Sequence, residues 1–223
     1  VYTGWSKTGE LFYFMRYEII PDILTYAKSF GGGKASISGY TCTDNIFNKA
    51  YGNLNDATLH STTYNGFGEE TVTAIEAIKI IYRDDYISKS KDIYDFLYPG
   101  LLDLKKKYPD IISDVRGAGA LNGIIINSKY ELLGSVLKLV PGEFFKDKRF
   151  LPKLYTASII SELYNVHNIL TFYGSNVEIP LIISPSIIIS KDDMNYFLSS
   201  LDKTLSKGLV KLVAKFIKNK FFK

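Results

Sequence analysis

The sequence of 223 residues predicts a mixed α/β fold, because short strand-like runs and longer stretches of helical periodicity share the chain. Hydrophobic residues make up 46% and charged residues 22%, a balance typical of folded globular proteins. The chain is long enough to bury a core. Its longest apolar run, residues 179–189, is broken by serine and proline and is too short to span a membrane.

The first half of the chain is predicted to contain two strands and a helix. Residues 23–27 form an apolar, β-prone run that ends at Lys28, and residues 37–43 form a second such run. The glycines at 31–33 predict a loop between these strands, because glycine loses the most backbone entropy in regular structure. After Gly68, apolar side chains recur at helical spacing, behind acidic residues that favour a helix N-terminus.

The second half is predicted to alternate helices and strands again. The predicted elements are a helix over 87–108, strands over 114–116 and 121–126, a helix over 159–166, a strand over 179–189 and a last helix from Asp192 to the basic end. Charge clusters at 83–90, between two helical patterns. We therefore expect a domain boundary there, which divides the chain into residues 1–86 and 87–223.

The cysteine, histidine and charge content excludes several kinds of site. The single cysteine, Cys42, cannot form an internal disulfide and suits a reducing cytoplasm; we expect a cytoplasmic protein without a secretory leader. His60 and His167 stand at no recognised metal-ligand spacing with it, so no metal site is predicted. The net charge of +4 arises in residues 201–223, with seven lysines and one aspartate. The rest of the chain predicts no nucleic-acid surface.

The basic tail has an amphipathic helical pattern. Its apolar side comprises Leu209, Leu212, Val213, Phe216 and Ile217, and its basic side comprises Lys207, Lys211, Lys215 and Lys218. Such a helix can lie on an anionic membrane surface. It can also dock its apolar side on the body of the protein and leave its lysines in solvent. We favour the docked helix, and no membrane span is expected.

Lys28 is a candidate nucleophile because of what flanks it. A lysine amine attacks a carbonyl only when it is neutral, which requires burial or nearby cations. The end of an apolar strand is where α/β sheets hold ligands, and the glycines that follow would let a phosphate or planar ring approach the backbone. On spacing alone, a solvated lysine beside a flexible turn is the favoured interpretation. A P-loop does not fit, because Ala35 follows Lys34 where that motif needs serine or threonine.

Two blocks around Lys28 resemble the class III aminotransferases. Residues 3–12 read TGWSKTGELF and residues 21–33 read PDILTYAKSFGGG. The family pattern is T-G-x-G-R-T-G, followed by P-D-I-x-x-x-x-K and a short glycine run. The lysine of that pattern binds pyridoxal 5′-phosphate (PLP) covalently. The resemblance therefore implies that PLP is the cofactor and that Lys28 is both the catalytic and a cofactor-binding residue.

Two later blocks agree with this resemblance. Residues 60–66 read HSTTYNG, similar to the family's S-T-[FY]-x-G, and residues 105–119 contain KKKYP and DVRGAG, similar to its K-Y-P…D-V-R-G-x-G. The first block implies that Thr63 binds the PLP phosphate of a neighbouring subunit, hence a homodimer. Without the resemblance, Thr63 could be a helix N-cap or a turn hydroxyl. The second block opens the family's small domain.

The resemblance also implies a domain assignment. Residues 1–86 would be the C-terminal part of the PLP-binding large domain of an aspartate-aminotransferase-like fold. Residues 87–223 would be a small C-terminal α+β domain that ends in the basic amphipathic helix.

Some family features are missing from this sequence. The aspartate that pairs with the cofactor's ring nitrogen belongs to a D-E-x-Q segment whose acidic pair would precede Val1. The glutamine of that segment is replaced by Tyr2, which could instead simply pack. The arginine that clamps a substrate carboxylate falls on Leu181 or a neighbour, and no arginine lies nearby.

These observations predict a PLP-dependent aminotransferase, present as a fragment that lacks the N-terminal half. It would transfer an amino group between an amine or amino-acid donor and a keto acid or aldehyde, with Lys28 moving the proton as general base and acid. The alternative is a catalytically inactive truncated paralogue that acts as a structural or regulatory partner.

Overall fold

The structure is a computed structural model that describes residues 1–127, 149–174 and 177–221. It is a mixture of helices and short strands, and it divides into two compact units, residues 1–91 and residues 92–223. No helix in the described part of the chain is both long enough and apolar enough to span a membrane.

The first unit is built on a strand pair followed by helices. Strands β1 and β2 are antiparallel, with Tyr26 opposite Gly39. A side chain at Gly39 would place its Cβ 2.7 Å from the Tyr26 ring, so glycine is required at this pairing. The elements are β1 (Ile23–Tyr26), β2 (Gly39–Cys42), α1 (Asp44–Tyr51) and α2 (Gly68–Arg83), with short 3-10 turns at Tyr13–Tyr17 and Lys28–Gly31.

The second unit contains a four-stranded antiparallel sheet in the order β3-β4-β6-β5. Helix α3 begins in the first unit and continues into the second. The elements are α3 (Tyr86–Lys107), β3 (Ile112–Ala118), β4 (Leu121–Ile126), α4 (Phe150–His167), β5 (Phe172–Tyr173), β6 (Pro180–Ile183), α5 (Lys191–Leu205) and α6 (Leu209–Phe221).

The core of the second unit lies between the sheet and its helices. Its fully buried side chains include Leu97, Leu101, Tyr155, Ile159, Leu163, Leu181, Leu201 and Leu205. Burial of each such side chain contributes about 1.5–3 kcal/mol. Polar contacts join the end of α3 to α5, because Asp202 accepts hydrogen bonds from Lys107 Nζ and Tyr108 Oη, each at 2.7 Å.

The C-terminal region differs from the single helix that the sequence predicts. Gly208 adopts a left-handed φ of 76°, which ends α5 and starts α6 in a new direction. The apolar side of α6 is buried, with Leu209, Leu212 and Val213 at most 2% exposed within the core. The prediction that this helix docks on the body is confirmed.

The lysines of the basic side are exposed, as expected, and two of them also pair with a buried carboxylate. Glu162 of α4 is 4% exposed, and its carboxylate accepts Lys207 Nζ at 2.5 Å and Lys215 Nζ at 2.8 Å. Burial alone would raise the pKa of Glu162, but hydrogen bonds from the two lysines outweigh it and hold the pKa below the usual 4.5. A buried carboxylate therefore anchors α6 to α4.

Candidate functional site around Lys28

Lys28 lies two residues after the end of β1, behind Ala27, and begins the 3-10 turn Lys28–Gly31. Its φ is 57°, in the left-handed region that residues with a side chain rarely adopt. Such a conformation costs about 1–2 kcal/mol and persists only where surrounding structure enforces it.

An aromatic cluster formed by Trp5, Tyr26 and Phe30 supplies that enforcement. The Trp5 ring stacks on Phe30 with centroids 4.9 Å apart, and it meets Tyr26 edge-on at 6.0 Å. Tyr26 and Phe30 also contact each other at 4.7 Å. Each such pair contributes about 0.5–1.5 kcal/mol beyond its burial. The backbone is therefore held on both sides of Lys28, and Trp5, only 8% exposed, is the centre of the cluster.

The glycine loop after Lys28 packs against α2. A Cβ at Gly32 would lie 2.9 Å from the Cβ of Ala77, and Gly32 also has a left-handed φ of 62°. Gly33 has a φ of 72°, but no heavy atom lies within 4 Å of its would-be Cβ. The close approach that requires glycine at position 32 is thus to a helix, while position 33 borders open space.

Alanine substitutions should separate these two requirements. We expect Gly32→Ala to lower the free energy of unfolding by about 2–3 kcal/mol, since it adds a steric clash to backbone strain. Gly33→Ala should lower it by only about 1 kcal/mol, because strain alone remains. Urea unfolding followed by circular dichroism measures both, and equal losses would show that the Ala77 contact does not matter.

The Lys28 side chain is exposed rather than buried, which differs from the burial expected for a nucleophilic lysine, and its amine lies near one aromatic ring. Lys28 Nζ is 5.8 Å from the centroid of Tyr2, within the range of a cation–π contact. The nitrogen of Val1 donates to the carbonyl of Thr25 at 3.3 Å, which places the chain before Tyr2 alongside β1. The sequence predicted Lys28 but did not predict the aromatic residues around it. Tyr26 and Phe30, two positions before and after Lys28, were the signal in the sequence for an aromatic cluster there.

Thr63 lies in an exposed turn ahead of α2. The N-cap position of α2 is Phe67, so Thr63 is not the helix cap that its residue type alone would suggest. The structure shows no hydrogen bond from the Thr63 side chain within the described ranges, and none that joins it to Lys28. The structure therefore places Lys28 and Thr63 in the same unit, and among the residues it describes it shows no direct hydrogen bond between them.

The segment before Thr63 is attached to β2 and α1 through tyrosines. His60 stacks on Tyr40 with parallel rings 5.3 Å apart, and its Nδ1 is 3.3 Å from Tyr40 Oη. Tyr40 Oη is also 2.8 Å from Tyr51 Oη, and this hydrogen bond, with burial, raises the pKa of Tyr40 to about 12. Tyr40 thus stays protonated at neutral pH and serves as a hydrogen-bonding anchor.

The expected position of a substrate-carboxylate clamp carries no arginine. Leu181 is fully buried in β6. Arg116 of β3 is occupied by carboxylates: its Nε contacts Asp114 at 2.8 Å and its Nη1 contacts Glu178 at 2.5 Å. These hydrogen bonds raise the pKa of Arg116, and the bond to Glu178 has the larger effect. Arg116 therefore has a structural role.

Comparison with a protein-family model identifies the family of this chain. The family model for class-III aminotransferases matches residues 1–205 of the chain. The chain belongs to the class III aminotransferase family. The resemblance inferred from the blocks around Lys28 is confirmed, and the match extends through α5 to the residue before Ser206.

Curated relatives show how much of a class III aminotransferase this chain covers. It is 28% identical over 208 residues to an uncharacterized aminotransferase of Schizosaccharomyces pombe, covering 93% of this chain and 40% of that protein. It is 32% identical over 130 residues to the succinylornithine transaminase of Yersinia enterocolitica, covering 58% and 30%. The chain thus spans less than half the length of these relatives.

Solved structures of aminotransferases share the fold of this chain. The taurine:2-oxoglutarate aminotransferase of Bifidobacterium kashiwanohense, solved with PLP and glutamate, matches with a TM-score of 0.75 at 20% identity, over 95% of this chain and 44% of that one. A transaminase of the marine bacterium Virgibacillus matches with a TM-score of 0.74 at 20% identity, over 97% and 45%. The predicted α/β fold of PLP-dependent transferases is confirmed.

Proposed function

We propose that this chain is part of a PLP-dependent aminotransferase in which Lys28 holds the cofactor. The observation that carries the proposal is the conformation of Lys28, a strained, exposed lysine held after β1 by the cluster of Trp5, Tyr26 and Phe30. Strain of this kind is typical of functional positions. The class III family match over the same residues supports the assignment.

The residues around Lys28 fit PLP as far as this chain reaches. The Lys28 amine is exposed and can meet an aldehyde, and the open space beside Gly33 leaves room next to the loop. PLP, when bound, supplies an electron sink for the carbon that loses its proton. Lys28 would attack as a neutral amine and, once released by the donor, move the proton as general base and then acid.

The larger assembly is also a proposal. Residues 1–86 would belong to the PLP-binding domain and residues 87–223 to the small domain of a cytoplasmic homodimer. Thr63 would then act on the cofactor of the partner subunit, as the family resemblance implies, and the residue is exposed. The substrates would be an amine or amino-acid donor and a keto acid or aldehyde acceptor.

Removal of the Thr63 hydroxyl should weaken PLP retention. We expect Thr63→Ala to lower the affinity for PLP by about 1–3 kcal/mol, the cost of one unpaired hydrogen-bonding group. Equilibrium dialysis with PLP measures the change. Thr62→Ala is the matched control, since Thr62 is also exposed. Its backbone carbonyl accepts a hydrogen bond from the Asn65 amide at 3.1 Å, which the substitution leaves in place. Equal affinities in the two variants would remove Thr63 from the site.

The dimer proposal can be tested by mixing two variants. In a dimer of Lys28→Ala and Thr63→Ala chains, one site combines an intact Lys28 with an intact Thr63. Capture of PLP on the Thr63→Ala chain should therefore recover after subunit exchange. Failure to recover despite demonstrated exchange would mean that Thr63 serves its own chain or no site.

The inactive paralogue remains the second candidate, and one observation favours it. The clamp position is filled by the buried Leu181, and Arg116 is held by Glu178 and Asp114. The PLP-loaded protein should be treated with amino acids and with amines that lack a carboxylate. Conversion of the visible absorption band of bound PLP by any donor supports the enzyme, whereas capture at Lys28 without conversion supports the paralogue.

A further inference from the structure

The ring of Tyr2 lies where it can control the Lys28 amine. Lys28 Nζ is 5.8 Å from the Tyr2 ring centroid, and no ion pair or hydrogen bond of Lys28 Nζ is present in the described part of the chain. The Tyr2 ring is therefore the one aromatic neighbour that the structure shows for this amine among those residues. Sequence resemblance assigns a glutamine to this position, so the ring is a feature of this chain.

We propose that Tyr2 is a positioning residue for Lys28, which confines the amine over the face of its ring. This inference rests on the proposed role of Lys28 in holding PLP. A lysine side chain has several freely rotating bonds, and an exposed one samples many positions. An aromatic face attracts an ammonium group within about 6 Å, which concentrates the amine on one side of the turn.

The backbone supports such a contact from both sides. The Val1 nitrogen donates to the carbonyl of Thr25 in β1, so Tyr2 lies beside the strand that ends two residues before Lys28. The left-handed φ of Lys28 is fixed by Trp5 and its partners. With both Cα positions held, the remaining freedom is that of the two side chains, and the ring limits that of lysine. The ring attracts the ammonium form of the amine, whereas attack on an aldehyde needs the neutral form, so the contact restrains Lys28 until the proton is lost.

Two substitutions distinguish the contribution of the Tyr2 ring from that of its hydroxyl. Tyr2→Leu removes the aromatic face, and Tyr2→Phe keeps it but removes the hydroxyl. Tyr82→Leu is the matched control, because Tyr82 is an exposed tyrosine of α2 in the same unit. Circular dichroism and urea unfolding check that each variant remains folded.

The first readout is independent of PLP. In the nuclear magnetic resonance spectrum, the ε-methylene protons of Lys28 should carry a ring-current shift. The shift should disappear in Tyr2→Leu and persist in Tyr2→Phe and Tyr82→Leu. A Lys28 signal that is unchanged in Tyr2→Leu would overturn the inference, whether or not the chain binds PLP.

The second readout is selective capture of PLP. The protein is incubated with PLP and reduced with borohydride, and the ratio of labelled Lys28 to labelled Lys34 is determined by mass spectrometry; Lys34 is an exposed lysine of the same loop. We expect the ratio to rise about two- to fivefold in Tyr2→Leu, because the ring no longer holds the ammonium form that cannot attack an aldehyde, and to stay constant in Tyr2→Phe.

The outcomes separate this inference from the proposed function. A ratio that stays constant or falls in Tyr2→Leu, or rises equally in Tyr2→Phe, would overturn the positioning role of the ring. If the unsubstituted chain does not label Lys28 in preference to Lys34, the proposed function fails, and the positioning role in cofactor capture is overturned with it. The nuclear magnetic resonance readout then still decides whether the contact exists.

Discussion

Replacement of Lys28 by alanine is expected to abolish covalent capture of PLP by this chain. Lys28 is the proposed cofactor lysine, and alanine leaves no amine at that position. After incubation with PLP and borohydride reduction, peptide mapping should find label at Lys28 in the unsubstituted chain and none there in the variant. Transamination should fall by about 10²–10⁴-fold or more, the range for loss of a general acid–base group.

Lys34→Ala is the control for this experiment. Lys34 lies in the same glycine-rich loop and is exposed as Lys28 is, so it reports on unspecific labelling. The control should retain the visible absorption band of bound PLP and the label at Lys28. A Lys28→Ala variant that kept the same absorption band and affinity would contradict the assignment of the cofactor lysine.

Removal of both lysines that face Glu162 should have the largest effect on stability. We expect Lys207→Met combined with Lys215→Met to lower the free energy of unfolding by about 3 kcal/mol, because a buried carboxylate loses its partners. Glu162 is 4% exposed, so water cannot replace them easily. Thermal and urea unfolding of the 223-residue chain measure the loss.

The pH dependence of that loss has a defined sign. In the unsubstituted chain the pKa of Glu162 is held below 4.5, so its contribution is present above the unfolded pKa and is lost as pH falls through the folded pKa. Without the lysines, burial alone acts and raises the pKa of Glu162 in the folded state. The double variant should then recover part of its stability as pH is lowered from neutral towards 5, whereas the unsubstituted chain should not.

Two other lysines of α6 provide the control. Lys211 and Lys218 are exposed and form no ion pair within the described residues. Lys211→Met combined with Lys218→Met removes the same charge and should change stability by less than about 0.5 kcal/mol. Equal losses in the two double variants would show that net charge, rather than Glu162, explains the effect.

The local elements were predictable because their signals are local. Helix α3 was predicted over 87–108 and occupies Tyr86–Lys107, and its apolar side forms part of the core as expected. The break at Gly208 and the pairing of Glu162 with Lys207 were not predicted. A lone glycine is compatible with a continuous helix, and an ion pair between distant residues leaves no periodic pattern.

The candidate site was predictable only in part. Lys28 and Thr63 were identified by motif order and spacing, which a single sequence can show. Their surroundings depend on contacts across the first unit, such as Trp5 on Phe30 and the Tyr2 ring near Lys28. Those contacts require that residues before β1 return to its end, and no pattern in the sequence specifies that path.

The left-handed backbone at Lys28 makes stability and function select different residues at one position. Glycine adopts a φ of 57° without steric cost, whereas most L side chains there, lysine included, cost about 1–2 kcal/mol. A library of variants sorted only for resistance to heat or protease should therefore enrich glycine at position 28. The same library sorted for PLP capture should return lysine. The frequency of lysine at position 28 in the second sort, compared with the first, would then measure how strongly binding of PLP, rather than stability of the fold, selects the residue at this position.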